Sequence, residues 1–155
     1  MPTFVYALIA AFVLADVIIF GGLWFIASHS KANRPDNVGH GHLAEGSAKP
    51  NWVSSVTRDE SKLIEPLIFT GDPAIAWEAA KEAVAELPKT KLVTTESEYL
   101  HAECSSPIFG FVDDLELLLR PNSECIDIRS ASRVGHSDLG ANAQRVEKLR
   151  TMFEA

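Results

Sequence analysis

Residues 111–132, FVDDLELLLR-PNSE-CIDIRSAS, decide the fold of this chain. Apolar and polar residues alternate on both sides of PNSE, a pattern typical of two strands joined by a four-residue hairpin loop. With this loop, Arg120 pairs with Cys125 and Leu119 pairs with Ile126, so the apolar residues of both strands share one face. A shift of one residue would turn the isoleucines to the other face, and the pattern therefore also predicts the register.

The same register places polar residues on the opposite face of the hairpin. Glu116 lies directly opposite Arg129, and the preceding segment, YLHAEC at 99–104, alternates polar with apolar residues in the same way. We expect an open sheet face that collects five polar side chains: His101, Glu103, Asp114, Glu116 and Arg129. A histidine with two carboxylates on such a face could bind a small ligand or a divalent metal.

Asp113 is the exception, because it falls on the apolar face of its strand, opposite Ser132 near the edge of the sheet. A carboxylate on that face needs hydrogen-bond donors. Arg133, the backbone and hydroxyl groups of residues 130–132, and the final helix are the candidate sources, and the sequence leaves open which of them serves. We interpret Asp113 as a structural residue first and a binding residue second.

Helix and strand signals around the hairpin complete the predicted domain, residues 50–155. Asp72 and Pro73 are typical of a helix start, and this helix should end near Leu87. A second helix is predicted to begin at Ser137–Asp138, with Leu139 on its buried face. Four strands are predicted, at 91–97, 99–104, 111–120 and 125–132. The fold class is therefore α+β, an antiparallel four-stranded sheet with two helices on one face.

Residues 4–27 are almost all apolar, which is long enough for a helix to cross a bilayer core of about 30 Å. A cleaved signal peptide has a basic start and a shorter apolar segment. The first three residues carry no basic side chain, so we predict a retained transmembrane helix followed by a linker at 28–49. Because Lys31 and Arg34 follow the span, the positive-inside rule places the soluble domain in the cytoplasm.

Polar and small residues within the span predict contact with another membrane protein. Asp16 lies near the centre, where a carboxylate is costly unless a protein group satisfies it. Gly21 and Gly22 permit close approach of a second helix, and Trp24 is typical of the membrane interface. The alternative is that a neutral Asp16 is tolerated without a partner. The expected partners are an integral membrane protein complex and the lipid bilayer.

The composition argues against several other classes of site. A formal net charge of −7 over 155 residues is unfavourable for a surface that binds nucleic acid. Cys104 and Cys125 fall on opposite faces of the predicted sheet, so we predict two free thiols rather than a disulfide. His40 and His42 alone supply too few ligands for a metal site. We predict neither a cofactor nor a metal.

Three segments resemble the family known as domain of unknown function (DUF) 1499: YLHAE at 99–103, FGFVDDLE at 109–116, and IRSASRVGHSDLG at 128–140. Asn142 and Arg145 also fit the family. The resemblance covers about 43–155 and implies a bacterial or plastid protein but no reaction. Together with the predicted span, it leads us to expect a protein of the bacterial inner membrane. Many members carry two cysteines ahead of the domain, whereas Gly46 and Trp52 occupy those positions here.

The sequence leaves three kinds of function open. The first is a non-enzymatic accessory or assembly subunit, anchored in the membrane and docked on a larger complex. The second is a ligand-binding or metal-binding module on the polar sheet face. The third is a hydrolase-like enzyme, although the chain has no Gly-x-Ser-x-Gly motif. The residues that suggest acyl or phosphoryl chemistry are Ser130, Ser132, Arg133, His136 and Asp138.

Overall fold

The protein consists of one long N-terminal helix followed by an α+β domain. The computed structural model describes residues 3–154. The elements in chain order are α1 (Thr3–Ala32), β1 (Trp52–Ser54), β2 (Leu67–Ile68), α2 (Pro73–Glu86), β3 (Thr90–Thr95), β4 (Tyr99–Ser105), β5 (Val112–Arg120), β6 (Cys125–Ser132) and α3 (Ala141–Phe153). The predicted α+β class is confirmed.

The sheet is antiparallel and has six strands rather than the four predicted. Its order is β1-β6-β5-β4-β3, and β2 also pairs with β6. The two additional strands have only three and two residues, which is too short for an alternating pattern to be recognised in the sequence. Both lie along β6 and extend the sheet beyond the central hairpin.

The central hairpin has the predicted register along its whole length. Arg120 pairs with Cys125, Leu119 with Ile126, and the same alignment continues to the far end of β6. Pro121–Ser123 form one turn of 3₁₀ helix, and Glu124 closes the loop in the left-handed conformation with φ of 49°. The four-residue loop is therefore confirmed.

The apolar face of the sheet packs against α2 and α3 to form the core. Leu115, Leu117 and Ile128 are fully buried there together with Trp77 of α2. Each buried Leu or Ile side chain contributes about 1.5–3 kcal/mol through removal of its apolar surface from water. α2 begins as predicted, because the Asp72 carboxylate accepts a hydrogen bond of 2.8 Å from the backbone N–H of Ala74.

The start of α3 differs from the prediction. The helix begins at Ala141, after Gly140 in the left-handed conformation, and not at Ser137–Asp138. Asp138 still caps it from outside, since its carboxylate accepts from the backbone N–H of Asn142 at 2.8 Å. Leu139 is therefore outside the helix with φ of 52°, and it is 91% exposed instead of buried.

The polar face of the sheet is covered, which corrects the expectation of an open face. The C-terminal end of α1 and residues 33–50, which contain no regular helix or strand, lie across it. Ala27, Ser30, Val38 and Ala44 are buried by this contact. A short alternating strand shows which residues share a face, but not what will cover that face.

The N-terminal part of α1 does not contribute to the domain. Its 30 residues are about 45 Å long at 1.5 Å per residue, and its most apolar 18-residue stretch has a mean hydropathy of 2.5 with none of its residues buried. α1 is thus long and apolar enough to span a membrane. It continues to Ala32, five residues beyond the predicted end of the span.

Candidate functional site

The five polar residues predicted on one sheet face are brought together in ion pairs, and all of them except Glu103 are buried. His101 lies opposite Glu116, and Glu103 lies opposite Asp114 in the β4–β5 ladder. His101 and Glu116 have no exposed surface. Together with Arg133 and Tyr99 the five residues form two clusters, one around Arg133 and one around Glu116.

The first group, the Arg133 cluster, consists of Arg133, Asp114, Glu103 and His101. The Arg133 guanidinium donates to both carboxylate oxygens of Asp114 at 2.9 and 2.7 Å and to Glu103 Oε1 at 2.7 Å. His101 Nε2 contacts Asp114 Oδ1 at 2.8 Å. Arg133 Nη1 also donates to the backbone carbonyl of Ser30 in α1 at 3.1 Å. The cluster therefore joins the sheet directly to the long helix.

The Asp114 carboxylate stays ionised in this buried position. Burial by itself would raise its pKa, but the hydrogen bonds from His101 and Arg133 and the positive charge of Arg133 outweigh burial and lower the pKa of Asp114. An ionised carboxylate with a bidentate arginine is a stable structural arrangement. It leaves Asp114 little capacity to bind an external ligand.

The second group, the Glu116 cluster, consists of Glu116, Arg129 and Tyr99. The Tyr99 hydroxyl donates to Glu116 Oε1 at 2.7 Å, and Arg129 Nη1 donates to Glu116 Oε2 at 2.7 Å. Burial and the hydrogen bond to Glu116 raise the pKa of Tyr99. The Tyr99 hydroxyl accepts from the backbone N–H of Gly39 at 2.9 Å, so this cluster holds residues 33–50 against the sheet.

Ser30 makes a second contact between α1 and the sheet. Its hydroxyl accepts from the backbone N–H of Val112 at 3.0 Å and donates to the carbonyl of Ala27 at 2.7 Å. Val112 is the first residue of β5, so the end of α1 is fixed at that end of the central strands. Together with Arg133, this contact sets the position of the helix relative to the domain.

Two buried nitrogen atoms in the clusters have no hydrogen-bond partner among residues 3–154, namely His101 Nδ1 and Arg129 Nε. In addition, no group of three or more His, Cys, Asp or Glu side chains within the described part of the chain could hold a metal ion. His101, Glu103 and Glu116 face the same side of the sheet, but each carboxylate is bound to an arginine instead. The geometry therefore does not favour the ligand or metal site that the sequence suggested.

Asp113 receives its donor from the final helix, one of the three sources left open. Arg145 Nη2 donates to Asp113 Oδ2 at 2.6 Å. Arg133, another of the candidate sources, pairs with Asp114 instead. The reason is the alternation of the strand: Asp113 and Asp114 are adjacent in sequence but point to opposite faces of the sheet.

Three of the five residues that suggested an enzyme form a structural hydrogen-bond cluster around Asn142, namely Ser130, Ser132 and Asp138. Ser130 donates to Asn142 Oδ1 at 2.7 Å, and Arg145 also donates to this oxygen at 2.6 Å. The Asn142 amide donates to the carbonyl of Asn51 at 3.0 Å and to Asp138 at 2.9 Å. Within residues 3–154, His136 forms no hydrogen bond with these side chains.

The residues predicted to bind a membrane partner do not share one face of α1. Phe20 follows Asp16 by four residues and Leu23 follows it by seven, so all three lie on the side of the helix that faces the domain. Gly21 and Gly22 are about 140° and 120° away from Asp16 around the helix, in opposite directions. Asp16, Trp24 and both glycines are exposed, and a Cβ added to either glycine would meet no other atom within 4 Å.

A groove lies where α1 meets the end of the sheet at which β5 begins and β6 ends. It has a volume of about 370 Å³ and is lined by Leu23 and Ile26 of α1, by Phe111, and by Val134 and Leu139 from the β6–α3 connection. Hydroxyl and carboxylate groups of Ser132 and Asp138 lie at its polar side. No sequence pattern indicated this groove, because its walls come from three separate segments.

The family model described as "Protein of unknown function (DUF1499)" matches residues 42–153, more than two thirds of the chain. The chain belongs to the DUF1499 family. Comparison with curated proteins found no match. The DUF1499 region contains Arg133 and Tyr99, whereas Ser30 and Gly39, to which these two residues bond, precede it. The polar clusters thus connect the DUF1499 domain with the segment that leads out of α1.

Sequence reasoning missed two residues of the clusters, Ser30 and Tyr99. Ser30 follows the apolar segment and was assigned to a linker, and nothing in its neighbourhood distinguishes it from other small polar residues. Tyr99 precedes His101 by two residues, so the strand alternation already placed it on the polar face. Its role as a partner of Glu116 could have been predicted from that register.

Gly46 and Trp52 occupy the two positions where many DUF1499 members carry cysteine, and here they are in contact with each other. The Trp52 ring lies so close to Gly46 that a Cβ added at residue 46 would overlap it. The Trp52 Nε1–H also donates to the carbonyl of Ser47 at 2.9 Å. The indole therefore fastens the segment that covers the polar sheet face.

Proposed function

We propose that the chain is an accessory or assembly subunit anchored in the bacterial inner membrane by α1, which docks on a larger membrane protein complex. The support comes from the surface that α1 leaves free. None of the residues in its most apolar stretch is buried by the domain. A helix with this much free surface can pack against the helices of a partner in the same membrane.

The observation that carries the proposal is the environment of Asp16. Among residues 3–154, Asp16 has no hydrogen-bond partner, and it is near the middle of the apolar segment. An acidic side chain at the centre of a membrane helix costs about 2.5–3.5 kcal/mol on insertion scales, and such residues usually face a protein partner or a water-filled cavity. A polar or basic group of a neighbouring subunit would remove this cost.

The geometry suggests where the partner binds. Asp16 is on the same side of α1 as Phe20, Leu23 and Ala27, the side that contacts the domain. A partner that satisfies Asp16 therefore lies beneath the DUF1499 domain. Gly21 and Gly22 face away from this side and would allow a second helix to approach closely.

The contacts of Ser30 and Arg133 would let a complex that binds α1 also orient the domain. Because both residues fix the end of α1 to the sheet, the domain has one orientation relative to the helix. A complex that binds the helix would thereby also position the domain at the membrane surface. Lys31 and Arg34 at the end of the span favour a cytoplasmic domain under the positive-inside rule, and a reporter fused to the C-terminus would test the sidedness.

Affinity purification from native membranes in a mild detergent tests the docking. The tagged wild-type protein should retain the same set of membrane proteins in repeated experiments. Asp16→Leu should reduce that recovery by about tenfold or more, which corresponds to about 1.4 kcal/mol of binding free energy. Asp16→Asn is the matched control, since it keeps a side chain of the same size that can hydrogen-bond to a partner, and its recovery should exceed that of Asp16→Leu.

Two outcomes contradict the proposal. In the first, the wild-type protein is recovered alone from native membranes under every mild condition. In the second, Asp16→Leu retains the same partners in the same amounts as the wild-type protein and Asp16→Asn.

A further inference from the structure

We infer that the membrane-proximal end of the domain, formed by the β4–β5 loop (residues 106–111) and by Leu139, inserts into the bilayer beside α1. The occupant of this surface is the lipid of the same membrane, with its acyl chains against the loop and in the groove. The inference rests on α1 crossing a membrane. It does not depend on the docking partner.

The depth of the loop follows from its contact with α1. The Phe109 ring lies 6.0 Å, centroid to centroid, from the ring of Phe20. A membrane helix needs about 20 residues to cross the hydrocarbon core, and every 20-residue stretch within residues 3–27 contains Phe20. Helical side chains lean toward the N-terminus of their helix, so the Phe20 ring is no shallower than the Phe20 backbone. Phe109 therefore lies beside a side chain of the span for every such placement.

The exposure of apolar side chains supports the same surface. Among the large apolar residues of the described domain, Leu139 and Ile108 are the most exposed, at 91% and 83%. They come from two separate loops, but both loops are at the end of the sheet that contacts α1. Exposed apolar side chains concentrated at one end mark an interaction surface, and here that surface is continuous with the membrane helix.

The backbone of the loop is prepared for an environment with little water. Ser106 N–H donates to the carbonyl of Phe111 at 2.8 Å, and Phe111 N–H donates to Ser106 Oγ at 3.0 Å. Lys89 Nζ donates to the carbonyl of Pro107, and proline itself has no N–H to satisfy. Polar backbone groups left without partners would oppose insertion, and these contacts remove several of them.

The groove gives the acyl chains a place between the helix and the domain. Leu23 and Ile26 form one wall, Phe111 and Leu139 form others, and the volume of about 370 Å³ is within the range of ligand pockets. Elements that lie in the membrane interface are typically buried by about 5–10 Å at the boundary of headgroups and acyl chains. Trp24 is typical of the membrane interface, and Phe20 is four residues, or about 6 Å, deeper along the helix. The loop that contacts Phe20 and the mouth of the groove are therefore at that boundary.

Depth-dependent fluorescence quenching in vesicles tests the inference. An environment-sensitive label is attached to Ile108→Cys or to Leu139→Cys in the full chain, with Cys125→Ser to remove the accessible native thiol; Cys104 is buried. The protein is reconstituted into phosphatidylcholine vesicles that contain a quencher near the headgroup or near the chain end. Both labels should lose emission, and the loss should be larger with the quencher near the headgroup.

Two matched variants define the scale of the experiment. Val17→Cys in the span should be quenched strongly. Ile75→Cys is also an exposed apolar position, at 72%, but it is in α2 near the opposite end of the sheet, and its label should keep its emission. Because Ile108 and Leu139 are themselves exposed, labels at these positions should leave the urea midpoint of the protein unchanged.

The inference is overturned if the labels at residues 108 and 139 are quenched no more than the label at residue 75 while the label at residue 17 is quenched. Should one of the two loop variants misfold, the other decides the result by the same comparison. The docking proposal has a separate readout, the proteins recovered with the chain, so either can fail alone.

Discussion

Replacing Arg133 by methionine should destabilise the domain by about 3–5 kcal/mol, the cost of breaking a buried ion pair. The guanidinium makes two hydrogen bonds to Asp114, one to Glu103 and one to the carbonyl of Ser30. Methionine fills a similar volume but leaves the Asp114 carboxylate buried with only His101 as a side-chain partner. Glu103 is partly exposed and can be hydrated, so it adds little to the cost.

Urea unfolding of the full chain in a mild non-ionic detergent, followed by tryptophan emission, measures this free energy. Trp77 is buried in the core and reports on the domain. Arg120→Met is the matched control: it also removes an arginine from an Arg–Asp pair, but the Arg120 side chain is 50% exposed, and the expected cost is at most about 1 kcal/mol.

The double variant Arg133→Met with Asp114→Asn should be more stable than the sum of the two single effects predicts, because it contains no unpaired buried carboxylate. A coupling of about 2–3 kcal/mol is expected for residues in direct contact within one hydrogen-bond cluster. The reasoning is refuted if Arg133→Met costs no more than Arg120→Met, or if the effects of the two substitutions at 133 and 114 are additive.

Three further predictions concern pH, packing and the thiols. Since the pKa of Asp114 is lowered in the folded state, the ionised carboxylate should contribute its full stabilisation above about pH 5 and lose it as the pH falls through about 3.9 toward the folded pKa. In a plot of the urea midpoint against pH, Asp114→Asn should reduce the slope over this acidic range. Gly46→Val should cost about 1–3 kcal/mol in urea unfolding because the new side chain overlaps the Trp52 ring, whereas a cost near zero would contradict the contact. In thiol titration of the native protein at neutral pH, Cys125 should react and Cys104 should react only after unfolding, because Cys104 is buried and burial raises its pKa; a disulfide seen by intact mass would disprove both.

The central hairpin could be predicted in detail because strand alternation and loop length leave a single register. Leu119 and Ile126 have to share the apolar face, and the four residues of the loop then align Glu116 with Arg129. The start of α2 could also be predicted, because Asp72 and Pro73 stabilise a helix start through their immediate neighbours in sequence. The short strands β1 and β2 were missed since two or three residues carry no period.

The partners within the polar face could not be predicted in the same way. The sequence left open whether Arg133 or the final helix pairs with Asp113, and the pleat of the strand decides it by turning Asp113 toward Arg145 and Asp114 toward Arg133. Leu139 fitted a helical spacing, but Gly140 adopts a left-handed conformation, and α3 begins after it. In both cases a geometry set by the backbone decides the outcome.

The sequence by itself determined the long apolar helix, the α+β class, the register of the hairpin and the sharing of one face by His101, Glu103 and Glu116. These follow from periodicity, which acts within a segment or between adjacent strands. Only the tertiary structure decided that this face is closed by the end of α1 and by residues 33–50, through Ser30 and Gly39. A contact between residues 60 or 103 positions apart depends on how whole elements pack, and no local pattern in either segment encodes it.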